Sequence, residues 1–169
     1  VMAARLISWR SHPHPATLKT AELIKEDLNN VGVNVTIRSV TRTFLIDQLN
    51  KKSENYDMIL TGWLAGNLDP DSFMRPILSC NSASEMTNLS NWCDEDFDQL
   101  MDKALDSPNL WERAHAYNQA QELILSKLPI VPLANMKRVL VVNSRVRHIE
   151  MNPFGSLNFS TLSLRKGEK

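Results

Sequence analysis

The sequence predicts an α/β fold in which a mixed, mostly parallel sheet is flanked by helices. Apolar segments with strand and helix periodicity alternate through the first 63 residues, a pattern typical of β-α-β units. The strand segments are apolar on both faces, as expected of strands that helices cover on two sides. Two longer segments after residue 90 have clear helical periodicity and extend the helical part of the fold.

Five elements are predicted in the first part of the chain. In order they are a strand near Ala4–Trp9, a helix with Ala21, Ile24, Leu28 and Val31 on its buried face, a strand over Val33–Val40, a short helix over Phe44–Leu49 and a strand over Tyr56–Trp63. Gly32 is predicted to end the first helix. Because helices join the strands, we expect a parallel sheet with right-handed crossovers.

Two helices and two strands are predicted after the cysteines. The first helix has Phe97, Leu100, Met101, Ala104 and Leu105 on its buried face, and the second has Leu110, Ala114, Tyr117, Ala120, Ile124 and Leu128. Ser107 is the predicted cap of the second helix, with Pro108 in its first turn and Pro129 at its end. Ile130–Ala134 and Val139–Val142 have the composition of strands.

An acidic cluster stands at the start of the first of these helices. It consists of Asp94, Glu95, Asp96 and Asp98. Negative charge is favoured there by the helix dipole. A calcium site is the weaker interpretation, because the cluster lacks the spaced oxygen ligands and the glycine of a calcium loop.

Length and composition exclude several classes of protein. The chain has 169 residues, 43% of them hydrophobic, which is enough for a substantial core and excludes a disordered tail. Nineteen basic and nineteen acidic residues balance, so the overall charge gives no sign of polyanion or membrane-surface binding. No apolar run reaches the roughly 18 residues of a membrane span. The chain opens as if in the middle of a strand, which predicts a fragment of a longer protein.

Two cysteines admit two interpretations. Cys80 and Cys93 lie in a stretch rich in Ser and Asn, and a disulfide between them would close a loop of favourable size in an oxidising compartment. The alternative is a pair of free thiols. A metal site is disfavoured because there is no second cysteine pair.

The motifs of common enzymes are absent from the sequence. Its five glycines form neither a dinucleotide fingerprint nor a phosphate loop, and there is no G-x-S-x-G elbow. His12 and His14 alternate with prolines, a pattern that suits an extended link better than a two-histidine metal grip. The sequence therefore predicts neither catalysis nor a cofactor.

The segment Trp63–Pro76 is the strongest candidate for a ligand site, because it directly follows an apolar strand. Ligands of open α/β sheets bind just beyond the carboxyl ends of strands. There Trp63 offers a stacking face, Asn67 a donor and an acceptor, and Asp69 a charge. The alternative places Trp63 in the core and makes Asp69 a helix cap with Pro70 in the first position.

Several motifs resemble one known family. They are A-E-L-I-K-E-D-L-N-N-V-G-V-N-V (21–35), Y-D-M-I-L-T-G-W (56–63), D-P-D-S-F (69–73), L-S-C (78–80), N-W-C (91–93) and L-P-I-V-P-L (128–133). In this order they are similar to the C-terminal part of the extracytoplasmic solute-binding proteins of peptide ABC transporters. The resemblance is greatest to the branch associated with antimicrobial-peptide uptake and resistance.

The resemblance implies a periplasmic protein of two α/β lobes, of the type II peptide-binding class. Residues 1–135 would be most of the C-terminal lobe, and residues 136–169 would be strands and a tail that return toward the missing N-terminal lobe. The family often pairs cysteines that match Cys80 and Cys93. Its members hold extended peptides through backbone hydrogen bonds and pass them to an inner-membrane permease, and the Trp that matches Trp63 lines the pocket.

One position departs from the family pattern. Members that clamp a peptide amino terminus have an Asp three residues after this Trp, where the present chain has Gly66. Recognition of a free amino terminus is therefore in question, because glycine cannot replace a charge-assisted hydrogen bond. Arg10 matches, less closely, a region where some relatives bind the peptide carboxylate.

The predicted function is thus a non-catalytic peptide-binding lobe, with Trp63, Gly66, Asn67, Asp69 and Arg10 as its candidate ligand-binding residues. Three alternatives remain. The same cleft could bind haem or another apolar cargo, for which Gly66 leaves room. Ser, His and Asp brought together by folding could form a hydrolase. The chain could also be an interaction domain without a cleft.

Overall fold

The computed structural model describes residues 2–9, 15–41, 43–45, 47, 56–85, 87–135, 137, 139–152 and 156–165. The chain divides into two compact units. The first comprises Val1–Trp63 and Cys80–Asn91, and the second comprises Leu64–Ser79 and Trp92–Lys169.

The first unit is built on a three-stranded parallel sheet. Its main elements are β1 (Met2–Trp9), α1 (Pro15–Asn30), β2 (Val33–Val40) and β3 (Met58–Leu60). The strand order is β2-β1-β3, and β1 pairs in parallel with both neighbours. The parallel β-α-β arrangement predicted from the sequence is confirmed in these elements.

The core of this unit lies between α1 and the sheet. Leu6, Ala21 and Val35 are buried, with Ile24 and Leu28 packed against them. Val31, expected on the same helix face, is exposed because it lies beyond the last residue of α1. Gly32 has a φ of +87°, which only glycine adopts without strain, and it ends the helix as predicted.

The third strand is shorter than the predicted strand over Tyr56–Trp63. β3 pairs with Leu6–Ser8 of β1, and Leu60 lies opposite Ser8. Because β1 ends one residue later, the chain beyond Leu60 has little strand left to pair with. Of the helix expected over Phe44–Leu49, residues 44, 45 and 47 are helical, and residues 46, 48 and 49 lie outside the described residues.

The second unit is mainly helical. It contains α2 (Asp71–Leu78), α4 (Glu95–Asp106) and α5 (Leu110–Lys127), while the short α3 (Cys80–Ser84) belongs to the first unit. One buried cluster joins the three helices. Its members are Met74, Leu78, Phe97, Met101, Ala104, Ala116, Tyr117, Ala120 and Ile124. None of the described helices has the length and apolar character needed to cross a membrane.

Some residues predicted on the buried faces of α4 and α5 are exposed. Leu105, Leu110 and Leu128 lie at the ends of these helices, beyond the cluster. Ala114 is also exposed, and the adjacent Arg113 occupies the inward-facing position.

The acidic cluster stands at the start of α4, as predicted, whereas the predicted cap of α5 needs correction. Asp94 caps α4, and its side chain accepts hydrogen bonds from the backbone N–H groups of Asp96 and Phe97. The cap of α5 is Asn109, so the assignment of Ser107 as this cap was wrong. Ser107 Oγ instead accepts the backbone N–H of Asn109. The prediction that Pro108 stands in the first turn was also wrong, since Pro108 precedes the cap of α5.

The C-terminal part contains only short strands among its described residues. The strands predicted at Ile130–Ala134 and Val139–Val142 are wrong, since the described residues there have no strand structure. Pro129 and Pro132 lack the N–H groups that a strand ladder requires. Two antiparallel pairs follow, β4 (Val146–Arg147) with β7 (Ser163–Leu164) and β5 (Glu150–Met151) with β6 (Leu157–Asn158).

Cys80 and Cys93 are joined in a disulfide, which confirms the pairing. Replacing both with Ser is expected to lower the free energy of unfolding by about 3 kcal/mol, because the open chain gains loop entropy when it unfolds. Urea unfolding with and without reductant measures this loss. The double variant serves as its own control, since reductant should leave it unchanged. Two free thiols in protein isolated from an oxidising compartment would contradict the prediction.

Candidate functional site

The carboxyl ends of β1, β2 and β3 lie at one edge of the sheet, because the strands are parallel. The chain moves from β1 to β2 on one side and then to β3 on the other side of β1, so the strand order reverses at β1. Ligands of open α/β sheets bind at such a point. Trp63 follows the end of β3 and is 42% exposed, so its indole is not sealed in the core.

The loop after Trp63 begins the second unit and leads to α2. Within it, the side-chain oxygen Oδ1 of Asn67 accepts the backbone N–H of Asp69 at 2.9 Å. The amide nitrogen Nδ2 of Asn67 takes no part in this bond, so its N–H groups are chemically able to donate to an acceptor such as a carbonyl oxygen.

Gly66 occupies an open position in this loop. A Cβ atom built there would meet no heavy atom within 4 Å. Its φ lies outside the left-handed region that would require glycine. Neither packing nor backbone conformation demands a glycine here, so a side chain could be accommodated.

Asp69 is bound within its own unit by three donors. Its Oδ1 accepts the Asp71 N–H at 3.0 Å and the Tyr117 hydroxyl at 2.9 Å, and its Oδ2 accepts Nη2 of Arg113. The helix α2 begins at Asp71, one residue later than the alternative interpretation of Asp69 and Pro70 expected. The bond to the Asp71 N–H nevertheless has the character of a cap.

Arg113 links this loop to the end of α4. Its Nη1 donates to the backbone oxygens of Ala104 at 2.6 Å and Leu105 at 3.3 Å. Carbonyls in the last turn of a helix have no intrahelical partner, and the guanidinium supplies hydrogen-bond donors to two of them. The sequence analysis missed Arg113 as a site residue. The available signal was a charged residue four positions before the inward-facing Tyr117.

The charges of this network shift two pKa values. Partial burial alone raises the pKa of Asp69, but the hydrogen bonds from Asp71 and Tyr117 and the Arg113 charge outweigh it and hold that pKa below its ordinary value. Burial, then the hydrogen bond to Asp69 and its charge, raises the pKa of Tyr117 to about 12. Asp69 is therefore an anion and Tyr117 a neutral donor at neutral pH.

Each shift fixes the direction of a pH dependence. The contribution of Asp69 to stability is present above the unfolded pKa of about 4 and is lost as the pH falls through the lower folded value. The contribution of Tyr117 is present below its unfolded pKa of about 10 and is lost as the pH rises toward the folded value.

The structure brings three predicted residues into one loop, namely Gly66, Asn67 and Asp69. Trp63 immediately precedes this loop but belongs to the first unit. Arg10, His12 and His14 lie outside the described residues. In the described part of the chain, no group of three or more His, Cys, Asp or Glu side chains could hold a metal ion.

Comparison with known proteins identifies the family. Residues 5–85 match the model of the bacterial extracellular solute-binding proteins, family 5 Middle. The peptide transport periplasmic protein SapA of Haemophilus influenzae is 64% identical over 149 residues, which are 88% of this chain and 26% of that protein. SapA of Salmonella typhimurium is 39% identical over 92% of this chain and 28% of its own length. Residues 5–85 of the chain are therefore identified as a family 5 solute-binding domain.

A solved structure of a dipeptide-binding protein has a similar fold. The dipeptide-binding protein of Pseudoalteromonas sp. SM9913, solved in complex with Met-Leu, aligns with a TM-score of 0.80 and 32% identity, over 97% of this chain and 32% of that one. The expected type II periplasmic-binding fold is confirmed. The relatives are solute-binding and transport proteins, which supports the expected non-catalytic role. The chain spans about a quarter to a third of their length.

Proposed function

We propose that this chain supplies the ligand-contacting part of a periplasmic peptide-binding protein that delivers its cargo to an inner-membrane ABC permease. Trp63, Gly66 and Asn67 are the residues that face the peptide, in a cleft closed by an N-terminal lobe. The observation that carries the proposal is the half-exposed indole of Trp63 at the edge where the strand order reverses.

The chemistry of the loop fits an extended peptide. An indole face stacks on apolar or planar groups of varied shape, and the amide N–H groups of Asn67 suit a peptide carbonyl. Such contacts recognise the main chain and tolerate different side chains. Antimicrobial peptides are the proposed cargo, supported by the resemblance to the branch associated with their uptake and by the 64% identity to a peptide transport protein.

The loop offers little to hold a free amino terminus. Gly66 carries no charge, and the carboxylate of Asp69 is already neutralised by Arg113. In this proposal Asp69 maintains the conformation of the loop and makes no ionic contact with the amino terminus of the peptide. A peptide is held by its backbone, and its amino terminus is left without an ionic partner at this position.

Gly66→Asp tests the proposal in the full-length protein. Calorimetric titration with a peptide and its N-acetylated form should show less than about tenfold discrimination by the parent protein. The Asp variant should gain a preference for the free amine of about 1.5–3 kcal/mol, the value of a charge-assisted hydrogen bond. The open space at residue 66 allows this substitution.

Gly66→Asn is the matched control, since it has the size of Asp without the charge and should show no new preference. Loss of parent binding on acetylation would mean that another group clamps the amino terminus. Saturation by haem without saturable binding of any peptide would overturn the proposed function.

A further inference from the structure

We propose that Arg113 is a positioning residue for the ligand-binding loop, an inference that rests on the proposed function. Its guanidinium holds Asp69 against α4 and α5. The backbone N–H of Asp69 in turn orients the amide of Asn67. Arg113 thus acts on the ligand through Asp69 and Asn67.

The guanidinium is fixed by partners from separate elements. Nη1 is bound to the last carbonyls of α4, and Nη2 is bound to Asp69 in the loop and to the Tyr117 hydroxyl at 3.3 Å. A planar fork of donors can satisfy these partners together, whereas the single ammonium of a lysine can replace only part of the set. The loop is thereby anchored to two helices by one side chain.

The loop backbone at Asn67 and Asp69 is also held by a side chain of α2. Ser72 Oγ donates to the backbone oxygens of Asn67 at 3.3 Å and Asp69 at 2.9 Å. A shift of Asp69 therefore moves the N–H group that sets the direction of the Asn67 amide. The donor that Asn67 presents depends on where Arg113 holds Asp69.

The charges around Asp69 make this role measurable by pH. Arg113 and Tyr117 face it from α5, and Asp71 faces it from α2. Asp71 itself is paired with Arg75, which also binds Asp102 of α4. Without Arg113, the Asp69 carboxylate loses its cation, so it takes up a proton at a higher pH than in the parent protein.

The test compares Arg113→Met and Arg113→Lys with the parent full-length protein, using a peptide that saturates the parent. Calorimetry should show about tenfold weaker binding for the Met variant at neutral pH, equivalent to one charge-assisted hydrogen bond. As the pH is lowered, its affinity should begin to fall at a higher pH than that of the parent. The Lys variant keeps the charge and should regain the pH profile of the parent.

Arg75→Met is the matched control. It removes an arginine that is paired with two carboxylates but has no bond to Asp69, and it should leave the pH profile of binding unchanged. Amide hydrogen exchange without ligand adds an independent readout. The Asp69 amide should exchange faster in the Arg113→Met variant than in the parent.

Two failures are distinguishable. If peptide binds the parent and the Arg113→Met variant equally tightly at every pH, the role of Arg113 is overturned while the proposed function stands. If no peptide saturates the parent, the proposed function fails, and the exchange of the Asp69 amide then decides the role of Arg113. Unchanged exchange overturns that role and faster exchange supports it.

Discussion

Phe97→Ala is expected to lower the free energy of unfolding by about 3–5 kcal/mol, the range for large-to-small changes in a core. Phe97 is fully buried in the cluster that joins α2, α4 and α5. Its ring meets that of Trp92 edge to face, with 5.2 Å between centroids. The substitution removes this contact and leaves a cavity that the surrounding helices can fill only in part. Urea unfolding of the full-length protein measures the loss.

Phe159→Ala is the matched control for this prediction. Phe159 is 71% exposed, so its removal should change the free energy of unfolding by no more than about 0.5 kcal/mol. Similar losses for the two variants would contradict the core described here. A loss below about 1 kcal/mol for Phe97→Ala would do the same.

The sheet and the long helices could be predicted because their signals are local. Alternating apolar runs and helical spacing reflect which face of an element is buried, and Gly32 marks a helix end by its own backbone conformation. Disulfide formation at Cys80 and Cys93 was open from the residues alone. The family resemblance favoured it, and the structure confirms it.

Errors arose where an element depends on a distant partner. Val139–Val142 has the composition of a strand, but strands need a neighbour to bond with, and the described residues there have none in a ladder. The prediction of the start of α5 was wrong for a different reason. Ser107 and Asn109 are both good caps, and the side chain of Asn109 is the one that accepts the N–H groups of Trp111 and Glu112.

The loop that carries the candidate residues could be located from the sequence. The hydrogen bonds that hold this loop could not be predicted. The position of Trp63 and Asn67 after an apolar strand marked the loop, since ligands bind at the carboxyl ends of strands. The pairing of Asp69 with Arg113 spans 44 positions of the chain, and no local pattern indicates it. The same carboxylate could therefore be taken from the sequence either as a ligand contact or as a cap.

Trp63→Ala is expected to weaken peptide binding by about 2 kcal/mol or more, roughly 30-fold in Kd, because a tryptophan buried against a ligand is typically a dominant contact. The thermal unfolding of the ligand-free protein should be nearly unchanged, since the indole is 42% exposed. Titration calorimetry and scanning calorimetry of the full-length protein give the two quantities. Trp63→Phe should retain part of the affinity, because a smaller aromatic face remains.

Trp111→Ala is the control that shows whether removing any exposed tryptophan weakens binding or only the removal of Trp63 does. Trp111 is 74% exposed and stacks on His115 within α5, outside the proposed ligand-binding residues, so its removal should leave the Kd unchanged. The two interpretations of Trp63 then separate cleanly. An indole that contacts cargo lowers affinity without lowering stability, whereas an indole that contributes to the core lowers stability by several kcal/mol. Unchanged peptide affinity in Trp63→Ala would exclude the aromatic face as the ligand contact.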